Sequence, residues 1–377
     1  MGCTDCQNCG GCRFRDMKES DYRILKEKNV RSLLEQNLGD LEGIWEAPKF
    51  LPDGTRRRAS LTFEFKNHRL EFGFNENKSH QIADVKHCAM LRPKINEILF
   101  SLRELIEKLC MIPVYAKKQK ARYMTEGDVL ILEVQNGLDI VLESDIDLGL
   151  EHRLEIADFM NACKPCIRFS FRKKHTSETE PIIEKAKPVV QIADADVLIS
   201  SGEFLQASEE GEAALISLVK KYIGQTRGKM ADLFCGIGTF SYALSNLENT
   251  DVLAVDCNKS LLQNFQKSVH ALMIQNIEIK CQNLFLYPLT PEDLKDVCAV
   301  VFDPPRAGAK AQAEELCKIK EDARPQKIIA VSCMPETFAR DAKILINGGY
   351  VIKNITMVDQ FVYSNHSELV GLFTNGK

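Results

Sequence analysis

Apolar and polar side chains alternate strictly at Leu61, Phe63 and Phe65 against Thr62, Glu64 and Lys66, and the alternation resumes at Leu70, Phe72 and Phe74. Asn67 and His68 part the two runs, so the pattern predicts a β-hairpin. The period then lengthens. Ile95, Ile98, Leu99, Leu102, Leu105, Ile106 and Leu109 recur at helical spacing behind Pro93, which predicts an amphipathic helix. Strand character returns over Val129 to Val134 and Ile140 to Leu142. The polar stretch from Thr176 to Pro188, interrupted by Pro181, reads as a connection between units.

Beyond about residue 195 short apolar runs alternate with helical patterns. Met230 to Phe234, Val252 to Val255, Val297 to Phe302 and Ile328 to Val331 are each followed by a turn and a helical stretch. This predicts an α/β unit with a mostly parallel, doubly wound sheet and helices on both faces. In such a sheet, ligands bind at the carboxyl ends of the strands. The expected division is a cysteine loop and β-rich region over 1–92, a central α+β region over 93–194 and the doubly wound unit over 195–377.

Composition narrows the picture. The 377 residues suffice for two or three domains, and 45% hydrophobic against 27% charged is ordinary for a folded chain. No apolar run approaches the ~18–20 residues of a membrane span, and Met1-Gly2-Cys3 leads into neither an apolar signal core nor a Ser or Thr at position 6. The expected location is the cytoplasm, with no membrane association and no obligate protein partner. A formal net charge of −4 requires any polyanionic partner to meet a local basic face. Fourteen cysteines are many for a reducing compartment, so a cluster of them reads first as metal ligands or a catalytic thiol. Cys3, Cys6, Cys9 and Cys12 crowd a loop too poor in apolar residues to organise itself.

Chemistry-bearing residues stand where the predicted strands end. Asp232-Leu233-Phe234-Cys235-Gly236-Ile237-Gly238 follows the first strand, and its glycines let the backbone approach a ligand. The turn lacks the third glycine of a dinucleotide fingerprint and the Gly-Lys-Ser/Thr of a phosphate loop. Asp256 closes the next strand, where a carboxylate can accept hydrogen bonds from both hydroxyls of an adenosine ribose. Asp303-Pro304-Pro305-Arg306 gives the third strand a rigid, extended exit. Ser332-Cys333-Met334-Pro335 places a thiol beside a helix N-terminus, where the dipole favours a thiolate and makes Cys333 a candidate nucleophile. His366-Ser367-Glu368 precedes a last apolar run, and Glu368 is a candidate general base.

Together with Phe204-Leu205-Gln206, these motifs resemble in order and spacing the RNA uracil-5-methyltransferases that use S-adenosylmethionine, over Phe204 to the C-terminus. The resemblance implies a Rossmann-like class I methyltransferase domain behind an amino-terminal RNA-binding and iron–sulfur region. It implies that Cys333 adds to carbon 6 of uracil, that carbon 5 then takes the methyl group, and that Glu368 removes the carbon 5 proton. Gln206, Phe234, Asp256 and Asp303 match cofactor-binding positions, and His366 takes a supporting role. Cys3, Cys9 and Cys12 are similar to the Cys-x5-Cys-x2-Cys of members with a four-iron four-sulfur cluster, and Cys88 behind His87 is similar to the fourth ligand. Four thiolates would equally suit zinc, and the resemblance is what favours iron. Cys6 offers a competing Cys-x2-Cys series, and Cys163-Lys164-Pro165-Cys166 reads as an unligated pair beside a turn proline.

A uridine inside folded RNA must be taken out of its stack, at a cost of ~a few kcal/mol that RNA contacts offset. Arg56-Arg57-Arg58, then Lys117, Lys118, Lys120 and Arg122, then Arg172, Lys173 and Lys174 are the phosphate-contact candidates, at least one of them a solvated face. Many relatives carry a small RNA-binding TRAM barrel before the cysteines, which here start at position 3. Members with a cluster and no barrel resemble the 23S ribosomal RNA enzymes, so 23S rRNA is expected ahead of tRNA. The alternatives are a tRNA uracil-5-methyltransferase, an amino-group methyltransferase, against which Cys333 counts, and a non-catalytic iron–sulfur RNA-binding protein.

Overall fold

The computed structural model describes residues 9–76, 79, 81–115, 121–176 and 178–376. First come α1 (Glu19–Leu38), the short β1 (Lys49–Phe50), the hairpin β2 (Arg58–Lys66) and β3 (Arg69–Asn75), and β4 (Ile82–Asp84). Next are α2 (Pro93–Met111), β5 (Glu126–Val134), β6 (Gly137–Ser144), α3 (Leu150–Ala162), β7 (Cys166–Lys173) and β8 (Thr179–Glu184). A small ladder of β9 (Val189–Ile192) and β10 (Ala195–Leu198) leads into α4 (Glu209–Ile223). Then follow β11 (Gly228–Leu233), α5 (Thr239–Ser245), β12 (Thr250–Asp256), α6 (Lys259–Ala271), β13 (Ile277–Cys281) and β14 (Val297–Phe302). The chain ends with α7 (Lys310–Lys318), β15 (Lys327–Ser332), α8 (Pro335–Asn347), β16 (Val351–Asp359) and β17 (Glu368–Thr374).

One sheet has the order β4-β3-β2-β5-β6-β7-β8. Its hairpin turns at Asn67 and His68, both with positive φ, the backbone hand that matches strand twist in a two-residue turn. Phe63 faces Phe72 across β2 and β3, and both are fully buried under the apolar stripe of α2, which Pro93 opens at its first helical position. The stretch from 176 to 188 is not the connection its polarity suggests. Residues 179–184 form β8 on β7, and Pro181 is tolerated because β8 is an edge strand.

The second sheet has the order β13-β12-β11-β14-β15-β17-β16-β1. Strands β11 to β15 run parallel, β17 is antiparallel to both neighbours, and β1 joins β16 in parallel. α4, α5 and α6 share one core on this sheet and α1, α7 and α8 another, which is the expected doubly wound α/β architecture. Chain order reverses between β11 and β14, opening a crevice at their carboxyl ends.

The sheets do not follow the three stretches read from the sequence. The first runs across residues 92 and 93, while α1 and β1, from the first stretch, complete the second sheet. α1 has no visible amphipathic pattern because its buried column is one residue wide, Tyr22, Lys26, Val30 and Leu34, and includes a lysine. Lys26 forms a buried ion pair with Asp359 and donates to the Phe361 carbonyl at 3.1 Å. The Tyr22 hydroxyl donates to Asp359 Oδ2 at 2.6 Å and accepts from the Tyr363 N–H at 2.8 Å. α1 thus fixes the loop between β16 and β17. Lys26→Met leaves a buried carboxylate without its cation, and is expected to lower stability by about 3–5 kcal/mol in urea denaturation.

Candidate active site

The crevice is built first from the turn after β11. Phe234 takes φ of 61°, in the region L side chains avoid, and its ring lies 5.3 Å from that of Phe285. Gly236 has φ of 57°, and a Cβ there would meet nothing within 4 Å, so the backbone is open to a ligand. Gly238 serves packing instead, since a Cβ would approach Phe265 Cζ to 2.4 Å. Asp256 ends β12, where its Oδ2 accepts from the Gly236 N–H at 3.1 Å and its Oδ1 from the Asn258 N–H at 3.0 Å. A half-exposed carboxylate beside an open glycine turn fits the sugar of an adenosine group.

Four side chains from distant parts of the sequence then form one hydrogen-bonded series. Gln206 Nε2 donates to Asp303 Oδ2 at 3.1 Å, and Gln360 Nε2 donates to Gln206 Oε1 at 2.9 Å and to Glu368 Oε1 at 2.8 Å. Asp303 follows β14, Gln206 precedes α4, Gln360 follows β16 and Glu368 opens β17. Burial pushes Asp303 up to about 7, against the hydrogen bond from Gln206, although its side chain keeps a partly exposed edge. Burial and then the charge of Asp303 push Glu368 up to about 8. Glu368 Oε2, Gln360 Oε1 and Ser367 Oγ are buried and have no partner among the described residues. Gln360 carried no sequence signal, as a glutamine eight residues before the acid belongs to no motif read from the chain.

Gln206 is held by the other sheet. Arg57 Nε donates to the Gln206 carbonyl at 3.0 Å, and Arg57 forms a buried ion pair with Glu212 at 3.0 Å. Arg57 is therefore a buried strut and no phosphate contact, a correction to its place in the basic run. Arg58 lies over the exposed Phe204 ring at 5.2 Å, and Arg56 Nε is buried without a partner among the described residues. In the third run Arg172, Lys173 and Lys174 pair with Glu143, Asp147 and Glu126, a neutralised face. Lys117, Lys118 and Lys120 lie outside the described residues, and Arg122 pairs with Asp145 at 3.2 Å.

Cys333 stands between β15 and α8, half-buried, at the same strand ends. Its thiol is pushed up to about 11, first by burial and then by the negative charges of Glu368 and Asp303, while Arg306 opposes the rise. Desolvation and the two carboxylates thus oppose the thiolate that the helix N-terminus favours. His366, whose ring lies 6.0 Å from Phe361, is lowered by burial and then by Arg306.

The segment that follows Cys12 packs on the β16–β17 loop, where the Phe14 N–H donates to the Tyr363 carbonyl at 3.0 Å. Cys9, Cys12 and Cys88 line one small cavity with Phe74, Val85, His87 and Met90. Cys12 and Cys88 also pack with Val362 and Tyr363. Three thiols about one cavity suit a thiolate-bound metal centre, although among the described residues no three His, Cys, Asp or Glu side chains are gathered to hold a metal ion. Cys3 and Cys6 lie outside the described residues. Cys163 and Cys166 have sulfur atoms 2.7 Å apart and no further ligand gathered among the described residues.

Residues 289–376 match the family profile described as tRNA (Uracil-5-)-methyltransferase. An uncharacterized RNA methyltransferase of Brucella suis is 35% identical over 377 residues, 100% of this chain and 84% of the relative. The 23S rRNA (uracil(1939)-C(5))-methyltransferase RlmD of Erwinia tasmaniensis is 26% identical over 376 residues, 99% of this chain and 81% of the relative. Among solved structures, the Pyrococcus abyssi tRNA (uracil-54, C5)-methyltransferase in complex with S-adenosyl-L-homocysteine superposes with a TM-score of 0.72 at 21% identity. It covers 98% of this chain and 86% of its own and shares the fold.

Proposed function

We propose, since this chain belongs to the family of S-adenosylmethionine-dependent RNA (uracil-5-)-methyltransferases, that it methylates carbon 5 of one uridine in 23S rRNA through a covalent Cys333 adduct. The observation that carries this reading is the Asp303, Gln206, Gln360 and Glu368 series, whose two carboxylates both act on the charge of the strand-end thiol Cys333. Carbon 5 of uracil is a poor nucleophile until its conjugation with the carbonyl is broken. Cys333 gives up its thiol proton to solvent, and its sulfur then bonds to carbon 6, which breaks the conjugation and leaves an enolate whose carbon 5 is nucleophilic. S-adenosylmethionine, when bound, supplies the electrophilic methyl group. Glu368 then takes the carbon 5 proton, that bond's electrons restore the carbon 5–carbon 6 double bond, and the sulfur leaves as thiolate.

Asp256 and the open Gly236 turn would hold the ribose of the cofactor, with Phe234, Gln206 and Asp303 along its remaining length. Arg306, exposed and close enough for its charge to act on Cys333, would meet an RNA phosphate. The 23S assignment is supported by the relative named for that RNA and by the cysteine cavity; the family profile's tRNA name supports the other RNA class. Incubation with methyl-labelled cofactor and unmodified transcripts of 23S rRNA and tRNA tests this. The expected result is 5-methyluridine at one position of 23S rRNA. Label in tRNA alone overturns the rRNA assignment, and label on an exocyclic amino group or none at all overturns the reaction.

Cys9, Cys12 and Cys88, with Cys3, would hold a four-iron four-sulfur cluster, which ties the cysteine loop to the body. Protein purified without air is expected to be brown, with broad absorbance near ~400 nm that a Cys88→Ser variant loses. Stoichiometric zinc without iron in that preparation overturns the iron assignment.

A further inference from the structure

The structure assigns Gln360 as the positioning residue that selects Glu368 Oε2 as the proton-accepting oxygen, an inference that rests on the covalent reading above. Gln360 is fully buried, and its one Nε2 group bridges two side-chain acceptors, Glu368 Oε1 and Gln206 Oε1. With Oε1 of Glu368 so engaged, Oε2 is the oxygen left buried without a partner among the described residues. A carboxylate held at one oxygen cannot swing, so the other oxygen keeps a single direction toward the carbon 5 proton. The same bond favours the ionised form, the form that can act as a base.

A second observation shows that the fold makes room for this amide. Gly211 lies in the first turn of α4, where glycine is a poor helix former. A Cβ there would stand 2.5 Å from Gln360 Oε1, 2.8 Å from the capping Ser208 Oγ and 2.9 Å from Gln360 Cβ, so a larger residue crowds the amide and the cap together. The ionisable groups around this pair come from several elements. Asp303 after β14 and Cys333 after β15 feel or exert its charge, the Arg57 and Glu212 pair lies beside Gln206, and the Lys26 and Asp359 pair fixes the residue before Gln360. His366 feels the charges of Arg306, Lys26 and Arg56.

In the reaction, the carbon 5–hydrogen bond breaks, an O–H bond forms at Oε2, and the freed electron pair re-forms the ring double bond as the carbon–sulfur bond breaks. Weakening the Gln360 bond therefore slows adduct release more than adduct formation. Gln360→Leu keeps the volume and removes the donor. With unmodified transcript RNA it is expected to accumulate covalent protein–RNA complex on denaturing gels. Its release rate is expected to climb with pH along a limb displaced upward by about one unit, about tenfold slower below the wild-type midpoint. Gly211→Ala, which retains the amide and displaces it, is expected to accumulate the same complex. A Gln360→Leu protein whose release limb keeps the wild-type midpoint, with no complex accumulating, overturns the assignment. A wild-type protein that forms neither 5-methyluridine nor an adduct with 5-fluorouridine RNA overturns the covalent reading itself, which separates the two failures.

Discussion

Cys333→Ala is expected to fold normally and to transfer methyl groups to RNA at least about 10⁴-fold more slowly than the wild type, in the range seen when a covalent nucleophile is removed. The side chain is half-buried in a loop between β15 and α8, so truncation leaves no large cavity, and the stability change should stay under about 1 kcal/mol. What is lost is the bond that breaks the conjugation of the ring, and no neighbouring group can replace it. Glu368 and Asp303 are acids raised by burial, and an oxygen held in that environment is a weak nucleophile. A 5-fluorouridine transcript separates this from a binding defect. Fluorine cannot leave carbon 5 as a proton does, so the wild type should remain bonded to the RNA after methyl transfer, while the variant retains RNA only reversibly. Turnover by Cys333→Ala within a few-fold of wild type would remove the covalent step and return the amino-group reading.

Glu368→Gln is expected to fail at the opposite end of the reaction. Adduct formation and one methyl transfer need no carboxylate at this position, whereas proton removal does. The variant should transfer at most one methyl group per protein and remain bonded to ordinary, unfluorinated RNA. Glu368 is pushed up to about 8, so in the wild type the basic form grows as pH rises from 6 to 8, and release should accelerate over that interval. The same shift sets the sign of a stability effect. An acid whose folded value exceeds its unfolded value of ~4.3 binds a proton more tightly in the folded state. The contribution of Glu368 to stability therefore declines as pH rises from about 4 to 8, and Glu368→Gln, which has no proton to lose, should melt at a higher temperature than wild type at pH 8. Equal melting temperatures at pH 8 would show that the carboxyl is not buried as described.

The order of the strand-end motifs was enough to read the doubly wound sheet and the crevice, because parallel strands are continuous apolar runs and their exits carry the polar residues. Asp303 and Glu368 lie far apart in sequence, yet the rule that ligands meet strand ends brings both to one place. What was illegible had local causes. α1 hides its buried face in a single column that contains Lys26, whose ion-pair partner Asp359 lies 333 residues on in the chain. Arg57 looks like its exposed neighbours until Glu212 is seen beside it. The charge state of Cys333 depends on two carboxylates from other strands, which helix position alone does not reveal. Gln360 matters through a geometry that no spacing encodes.

The pairing of β1 with β16 also dictates a waiting time. Lys49 meets Val358, so the outermost strand of the second sheet leaves the ribosome long before the strand it joins. At ~5–20 residues per second the delay is on the order of tens of seconds. Throughout it, the Val30 and Leu34 column of α1 has no partner, and a lysine in the same column keeps that nascent surface from being purely greasy. A late stretch thus recruits an early one, and the second sheet can first close its edge only after β16 has emerged.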